Sequence, residues 1–304
     1  MTAPCIAILS RRPELYSTRR LVAAAEHLGA VPLVLDPGAC LLALDSAGSV
    51  LYHGTERLLS CAAAIPRIGS PITRLGGRLL RHFASQGSYC LNGAAALELA
   101  RDKFAALQVL VQAGVPVPRT VYFSDPQQRE MAMAQVGWPL VSKLLEGSQG
   151  VGVMLAESAA SARGLLDTLL HLQQEAVVQR YLAGREDLRV IVLAGQILAA
   201  MRRRAPLDDF RSNLHRGGEA TPVGDLPATW AAIALRATAA LGLDFAGVDL
   251  MADGDGQALV LEVNPVPSLE GIERVSGVDI ADAIMRRVLA AALPTPHPSG
   301  RRPG

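Results

Sequence analysis

Two apolar segments, residues 246–250 and 259–264, are joined by a short polar linker, and this pattern strongly restricts the secondary structure that the region can form. The linker contains Asp-Gly-Asp-Gly at residues 253–256, and Asp-Gly pairs favour the tight turns of β-hairpins. Both flanking segments contain the Val and Leu residues that are common in strands. We therefore predict two adjacent antiparallel strands, with residues of the first level with those of the second.

Polar side chains interrupt the apolar pattern of this predicted hairpin. Because side chains alternate between the faces of a strand, Glu262 and Asn264 share one face, whereas Leu261 and Val263 point into a core. The pairing brings Asp249 level with the polar face. Two carboxylates and an amide suit Mg²⁺ held together with nucleotide phosphates, since this ion prefers oxygen ligands. The alternative is that they are solvated residues at strand ends.

Composition narrows the classes of protein. The chain has 304 residues, 50% of them apolar, and a formal net charge of +1. This length predicts two or three subdomains. Because positive and negative charges nearly balance, we expect no direct binding to nucleic acid. The four cysteines form no Cys-x-x-Cys pair, which favours reduced buried thiols. Without a signal pattern or an apolar run of about 18 residues, we expect a soluble cytoplasmic protein with no membrane partner.

The order of predicted elements is typical of an α/β protein. A strand at residues 5–9, a helix at 14–28 and a strand at 31–35 predict an open parallel sheet up to about residue 93. One continuous helix is predicted for residues 94–112. The predicted divisions are an N-terminal α/β domain (1–93), a central lid subdomain (94–185), a C-terminal subdomain with the metal site (186–293) and a disordered tail (294–304).

A glycine-rich loop between two predicted strands directly follows a lysine. Gly147, Gly150 and Gly152 leave backbone amides open to a phosphate, and Lys143 lies in the apolar strand before them. A lysine there is costly to bury unless an anion meets it. The only other lysine in the chain, Lys103, lies on the preceding helix. The pattern favours a nucleotide site; the alternative is an ordinary hairpin beside lysines that reach solvent.

A segment dense in hydrogen-bond donors follows a strand that ends in three arginines. Residues 209–218 contain Arg211, Asn213, His215 and Arg216 and end in two glycines. Such a loop suits a carboxylate and a phosphoryl group held together; a solvated basic loop is the alternative. Because side chains alternate along a strand, at most one face of the arginine triplet serves a site.

In this order, the elements resemble the ATP-grasp carboxylate-amine ligases, and among them the RimK-type α-L-glutamate ligases. The resemblance extends over nearly the whole chain, to about residue 290. It implies an α+β ATP-grasp fold, in which an N-terminal parallel α/β subdomain precedes two α+β lobes that clasp ATP. The matching residues are 8–11, 66–69, 100–103, 143–153, 209–218, 246–249, 261–264 and 269–273.

The resemblance also implies roles for individual residues. The residues implied to bind ATP are Lys103, Lys143, Gly147, Ser148, Gln149, Gly150, Gly152, Gln179, Arg180, Tyr181, Asp187, Arg211, Ser212 and Asn213. The implied metal ligands are Asp249, Glu262 and Asn264. The implied catalytic residues are Arg203, Arg211 and Asn213, and the implied substrate contacts are Arg67, His215, Arg216 and Ser268.

The implied reaction joins L-glutamate, through its α-amino group, to an acceptor carboxylate. It uses ATP and two Mg²⁺ or Mn²⁺ ions, passes through an acyl phosphate and releases ADP and phosphate. The implied acceptor is the C-terminal glutamate of a ribosomal protein or an oligo-glutamate chain, and a homo-oligomer is expected. Two alternatives stay open: the same chemistry on a small-molecule coenzyme or an amino-acid carrier protein, and a non-catalytic nucleotide-binding regulator.

Three departures from the family's pattern limit how far its residue roles carry over. Arg180 stands where many relatives have a glutamate, and Arg202 replaces an acid that usually precedes the paired arginines. Residues 265–268, Pro-Val-Pro-Ser, replace small residues beside the predicted metal site. The sequence therefore constrains the class of reaction more than the identity of the acceptor.

Overall fold

A computed structural model describes residues 3–145, 147, 150–207, 209–212 and 217–292. The chain divides into two compact units. The first comprises Met1–Arg67, Arg78–Leu91 and Asp279–Gly304, and the second comprises Ile68–Gly77 and Asn92–Val278. The predicted tail, residues 294–304, lies outside the described residues, and the division of the chain into three subdomains stays a prediction.

Helices and strands are mixed along the described residues. No helix among them combines the length and the apolar character that crossing a membrane requires. In chain order the elements are β1 (Cys5–Leu9), α1 (Tyr16–His27), β2 (Val31–Leu35), β3 (Cys40–Asp45), β4 (Gly48–His53), β5 (Glu56–Arg57), β6 (Ala63–Pro66), α2 (Thr73–Ser85), β7 (Tyr89–Cys90), α3 (Ala94–Arg101), α4 (Lys103–Gln112), β8 (Thr120–Tyr122), α5 (Arg129–Val136), β9 (Leu140–Leu144), β10 (Val153–Ala156), α6 (Ala159–His171), β11 (Ala176–Arg180), β12 (Glu186–Leu193), β13 (Gln196–Arg204), β14 (Glu219–Pro222), α7 (Ala228–Ala240), β15 (Phe245–Ala252), β16 (Ala258–Asn264), α8 (Glu270–Ser276) and α9 (Ile280–Ala292).

The first unit contains a parallel sheet in the order β2-β1-β6-β7. Ile6, Ile8 and Ile65 are fully buried in it, as expected for strands covered on both faces. The predicted parallel sheet is thus confirmed. A second, antiparallel sheet of β3, β4 and β5 was not predicted.

The cysteines of the first unit are free thiols, but most are less buried than predicted. Cys61 is buried, whereas Cys5, Cys40 and Cys90 are only half-buried. The prediction of buried thiols is therefore wrong for these three, because they lie near the ends of strands rather than at their centres.

The second unit begins with an antiparallel sheet in the order β10-β9-β11-β8. Helices α5 and α6 pack against it and bury Met133, Leu140, Leu166 and Val178. The pairing of β9 with β10 makes residues 145–152 a hairpin loop. The glycine-rich segment therefore connects strand to strand, as predicted.

A second sheet of this unit has the order β14-β13-β12-β15-β16 and is antiparallel throughout. Val190, Val248, Leu250 and Val260 are inaccessible and form a core with α7. The last two strands form the predicted hairpin around residues 253–257. This hairpin brings the acidic residues of the two strands into register.

The helix predicted for residues 94–112 is two helices, so that prediction is wrong. Asp102 separates α3 from α4 with an extended backbone (φ −82°, ψ 104°). Its carboxylate accepts hydrogen bonds from the amides of Phe104 and Ala105 at 3.0 Å, the pattern of an N-cap. Helical periodicity alone could not reveal this break, because the apolar spacing continues across it. As a result Lys103 is the first residue of a new helix.

Candidate active site

A cavity of about 140 Å³ lies within the second unit. Its lining combines charged side chains of both signs with apolar residues from the two sheets. The charged residues that matter most are Lys103, Lys143, Asp187, Arg203, Asp249 and Glu262. The structure thus brings together cationic and acidic residues that are far apart in the sequence.

One part of the cavity lining consists of residues 179–182, which end β11 and directly follow it. Tyr181 contacts Phe210 edge-on, with ring centroids 6.4 Å apart. Val141, Met251 and Leu261 supply apolar wall nearby. Apolar side chains that line a cavity together with main-chain groups suit a purine ring. The side chain of Gln179 is buried and bonded to Lys143 and Thr120, so adenine would be read by backbone groups.

Both lysines lack a carboxylate partner among the described residues. Lys103 Nζ donates to the carbonyl oxygens of Leu145 (3.0 Å) and Gly147 (2.7 Å). Lys143 Nζ donates to Gln179 Oε1 at 2.7 Å. Burial lowers the pKa of each ammonium group, and the attraction of Glu262 opposes this shift. Cations held only by neutral groups can accept an anionic ligand.

Arginines and aspartates form a continuous network at the floor of the cavity. The Arg203 guanidinium binds Asp187 through both ends (2.7 and 2.6 Å) and reaches Asp249 at 2.9 Å. Arg189 binds Asp249 bidentately at 2.8 and 2.7 Å. Ser212 Oγ donates to Asp187 at 2.7 Å. Bidentate geometry orients each carboxylate.

Burial alone would raise the pKa of Asp249, but this network more than offsets the effect. The attraction of Arg189 and Arg203 lowers the pKa of Asp249 to about 2. For Arg203, burial acts to lower the pKa, and the two aspartates raise it above the usual arginine value. Both groups are therefore charged at any physiological pH.

The predicted metal ligands lie on the paired strands β15 and β16. Asp249 is opposite Glu262, and Gly247 is opposite Asn264. The register shifts next to Asp249, so that Leu261 is an extra residue in β16. The prediction that Leu261 points into the core is wrong, because this bulge interrupts the alternation and Leu261 lines the cavity instead.

The donor set fits a divalent ion that is shared with a nucleotide. The exposed Glu262 carboxylate lines the cavity and has no hydrogen bond or ion pair with any described residue. Among the described residues, the hydrogen bond to Asn264 Oδ1 comes from the Val266 amide, at 2.9 Å. Within the described ranges no three His, Cys, Asp or Glu residues cluster closely enough to hold a metal alone. Phosphate oxygens would have to complete the coordination, as is common for Mg²⁺.

The glycine-rich loop comes close to the donor-rich loop. Gly150 and Gly152 adopt φ angles of +73° and +75°, which glycine reaches without strain. Arg211 Nη1 donates to the Gly150 carbonyl at 3.1 Å, while its other nitrogens bind Asp209. Arg211 thus ties the two loops together on the cavity wall.

Several predicted site residues either lie outside the described residues or do not line the cavity. Ser148, Gln149, Asn213, His215 and Arg216 lie outside the described residues. Asn264 and half-buried Ser268 belong to the second unit without lining the cavity. Arg67 belongs to the first unit, where its amide donates to the Leu9 carbonyl at 2.9 Å. Their predicted roles stay predictions.

Arg189 is a site residue that sequence reasoning missed. It lies opposite Asp249 in the pairing of β12 with β15, and only 14% of its side chain is exposed. The sequence carries a usable signal, because Arg189 is the one charged residue of the segment 188–193, whose other residues are apolar. The same reasoning had singled out Lys143.

Family models match most of the chain. A RimK PreATP-grasp domain matches residues 5–97, and a RimK-like ATP-grasp domain matches residues 100–288. Together with the glycine-rich loop, the two lysines and the β15–β16 hairpin that carries Asp249 and Glu262, these matches define the class: the chain is an ATP-grasp enzyme, an ATP-dependent ligase. Ligases of this class use ATP with Mg²⁺.

Comparison with individual proteins narrows the class further. The chain is 44% identical to a probable alpha-L-glutamate ligase from Thioalkalivibrio sulfidiphilus, over 95% of this chain and 96% of that protein. It is 42% identical to the ribosomal protein bS6–L-glutamate ligase of Salmonella newport, over 95% and 97% of the respective chains. The chain belongs to the RimK-like ATP-grasp family.

Solved structures share the fold. A RimK domain protein from Sphaerobacter thermophilus aligns with a TM-score of 0.73 and 27% identity, covering 93% of this chain and 99% of that chain. The ATP-grasp ligase PsnB, crystallised with a minimal precursor, Mg and ADP, aligns with a TM-score of 0.73 and 21% identity, covering 95% and 97%. The α+β ATP-grasp fold expected from the sequence is confirmed.

Proposed function

We propose that this protein joins L-glutamate, through its α-amino group, to the carboxylate of an acceptor at the expense of ATP. The observation that carries the proposal is one cavity in which two lysines and Glu262 all lack oppositely charged partners among the described residues. Unpaired charges of both signs suit a nucleotide bound with its metal. The nature of the substrates is supported by relatives named as glutamate ligases at 42% and 44% identity.

The reaction follows from ATP-dependent amide formation. An oxygen of the acceptor carboxylate attacks the γ-phosphorus of ATP, and the bond to the bridging oxygen breaks to release ADP. The glutamate nitrogen then attacks the acyl carbon of the acyl phosphate, loses a proton and displaces phosphate. Positive charge around the transferred phosphoryl group stabilises both steps.

The two lysines, two arginines and one asparagine have roles in this scheme. Lys103 and Lys143 would bind ATP phosphates, and Arg211 would bind the transferred phosphoryl group from the loop side. Arg203 would stabilise the negative oxygen of the tetrahedral intermediate. Asn213 would assist Arg211. No covalent protein nucleophile is needed.

Two metal ions, Mg²⁺ or Mn²⁺, would bind at this site. Their ligands would be Asp249, Glu262 and Asn264. The metal would supply positive charge at the phosphate oxygens. Asp249 is already held by Arg189 and Arg203, so metal binding would require its carboxylate to share these partners. Asp187, which accepts hydrogen bonds from Arg203 and Ser212, would contact the ribose.

The acceptor in this proposal is the C-terminal glutamate of a ribosomal protein, extended by repeated addition. Support comes from the relative named as a ligase of ribosomal protein bS6. Arg67, His215, Arg216 and Ser268 would contact the substrates. A cytoplasmic location and a homo-oligomeric state belong to the same proposal.

Mass spectrometry of the products tests the function. The purified protein is incubated with ATP, Mg²⁺ and L-glutamate, with and without a ribosomal-protein tail peptide that ends in glutamate. We expect mass ladders with steps of one glutamyl unit and release of ADP rather than AMP. If ATP binds but no ladder forms either on the tail peptide or on free glutamate, the substrate assignment is wrong.

A matched pair of variants tests the metal assignment. Glu262→Gln removes the free carboxylate and should abolish ladder formation. Glu270→Gln, which removes a surface carboxylate paired with Arg274 four residues later, should leave the rate unchanged. An unchanged rate in Glu262→Gln would exclude this residue as a metal ligand.

A further inference from the structure

Arg101 is a charged residue beside the site for which the reaction scheme has no role so far. It is the last residue of α3 and precedes the Asp102 cap. Its Nη1 donates to Ser70 Oγ at 3.1 Å and its Nη2 to the Ile68 carbonyl at 2.8 Å. Its Nε is buried and has no hydrogen-bond partner in the described part of the chain. A buried N–H without a partner is costly unless a ligand satisfies it.

The positive charge of Arg101 also lacks a partner. No carboxylate among the described residues forms an ion pair with it, in contrast to Arg189 and Arg203, which bind aspartates. Burial lowers the pKa of Arg101, and only the attraction of Glu262 opposes this. Leaving a guanidinium without a counter-charge in such surroundings is costly.

Arg101 lies close to Lys103 and Glu262, the groups that the proposed function assigns to phosphate and metal. It is close enough to Lys103 to lower the pKa of that lysine, and Glu262 attracts both residues. Helix α3 also packs against β16, the strand that carries Glu262. Arg101 does not line the nucleotide cavity itself. It is therefore placed for a group that approaches the phosphates from outside this cavity.

We propose that Arg101, supported by Ser70, binds a carboxylate of a substrate that does not itself react. The proposal rests on the proposed function, because only a glutamate-adding ligase brings such carboxylates close to the ATP phosphates. A guanidinium presents N–H groups in a fork that matches a carboxylate. The free Nε–H and the remaining Nη–H groups are available for it. The carboxylate comes either from the incoming L-glutamate or from the acceptor's terminal residue.

A purely structural role explains less of the geometry. Two hydrogen bonds to residues 68 and 70 would tie this segment to α3, but a neutral side chain could make them without burying a charge. The structural role predicts lost stability with unchanged substrate affinity. The carboxylate subsite predicts the reverse.

Variants of Arg101 separate the two roles. Arg101→Gln and Arg101→Lys are compared with wild type by initial rates of ladder formation at varied glutamate and varied acceptor peptide. Binding of ADP with Mg²⁺ is measured by calorimetry, and stability by thermal unfolding. Arg236→Gln is the matched control, because Arg236 also donates to a backbone carbonyl, that of Gly114 at 2.8 Å, but is exposed.

We expect the KM for one carboxylate substrate to rise by about tenfold to a hundredfold in Arg101→Gln, since a charge-assisted hydrogen bond is lost. Arg101→Lys should recover part of this loss, and ADP affinity should stay within about twofold of wild type. A raised KM for glutamate assigns the carboxylate to the amino acid, and a raised KM for the peptide assigns it to the acceptor. Arg236→Gln should change neither KM.

Two outcomes would overturn the subsite. The first is that Arg101→Gln has a KM within about twofold of wild type for both substrates. The second is that its affinity for ADP falls by the same factor as its KM rises. A wild-type protein that forms no ladder would instead refute the proposed function. In that case L-glutamate and the tail peptide are each titrated by calorimetry into wild type and Arg101→Gln saturated with ADP and Mg²⁺: affinities that are equal in the two proteins for both ligands would refute the subsite.

Discussion

At the scale of single residues, the site is an arrangement of charges that are either doubly paired or not paired at all. Asp249 is held by two arginines, whereas Lys143 is held by one neutral amide oxygen. Removing one partner of a buried ion pair is destabilising because it leaves the other charge uncompensated, whereas removing a buried charge that has no partner relieves a cost. The two kinds of residue should therefore respond in opposite ways to substitution.

Asp249 should make stability depend on pH in the acid range. Its pKa is about 2 in the folded protein against an ordinary value of 3.8. The lowered pKa contributes stability that is complete above about pH 5 and is lost as pH falls through 4 towards 2. Between pH 5 and pH 3 the loss should be about 1 kcal/mol.

Urea denaturation of Asp249→Asn at pH 5 and pH 3 measures this contribution. The variant should be less stable than wild type at pH 5 and should lose about 1 kcal/mol less on acidification. Asp255→Asn, in the exposed turn between β15 and β16, should follow the wild-type profile. An equal acid dependence in wild type and Asp249→Asn would contradict the lowered pKa.

Lys143 should trade stability for ligand binding. Burial lowers its pKa, so the charged form is destabilised in the folded protein without ligand. Lys143→Met keeps much of the side-chain volume and removes the charge, and should raise the free energy of unfolding by about 1 kcal/mol. Calorimetry should show that binding of ADP with Mg²⁺ is lost. A marked fall in stability with intact ADP binding would mean that Lys143 is a structural residue.

At the scale of elements, the break between α3 and α4 decides how Lys103 is presented. The Asp102 cap begins a new helix, and Lys103 reaches the carbonyls of residues 145 and 147 from its first turn. A continuous helix would follow another path at this point. The cap therefore links a local backbone preference to the phosphate site.

Asp102→Ala should impair ATP use as well as stability. Loss of the cap should cost about 1 kcal/mol, and the KM for ATP should rise severalfold because Lys103 is no longer held in place. Ser158→Ala is the matched control, since Ser158 caps α6. It should cost similar stability without changing the KM. Asp102→Asn retains a capping oxygen and should behave nearly as wild type; equal KM values in all three variants would disprove the link.

At the scale of the whole molecule, the cavity belongs entirely to the second unit. A ligand that binds only the folded form stabilises it by mass action, by about 2.7 kcal/mol at a hundredfold excess over Kd. We therefore expect ADP with Mg²⁺ to slow amide hydrogen exchange in β9, β12 and β15. Exchange in β1 and β2 of the first unit should change little, and equal protection of both units would contradict a cavity confined to one.

The sequence by itself determined the elements whose patterns are local. Periodicity and turn residues predict three features of the fold. These are the strands that carry Lys143, Asp249 and Glu262, the hairpin turn between β15 and β16, and the parallel sheet of the first unit. The motifs around them were enough to indicate an ATP-grasp ligase. Such features depend on a few neighbouring residues, so they can be predicted before the fold is known.

The tertiary structure alone decided which charges meet. The Asp249 partners, Arg189 and Arg203, come from two other strands, and their pairing depends on strand order and register. The bulge at Leu261 and the break at Asp102 likewise shift side chains where the apolar pattern continues unchanged. Electrostatic energies fall steeply with separation and solvent exposure. The chemistry of the site was therefore settled only when folding fixed the distances between residues remote in sequence.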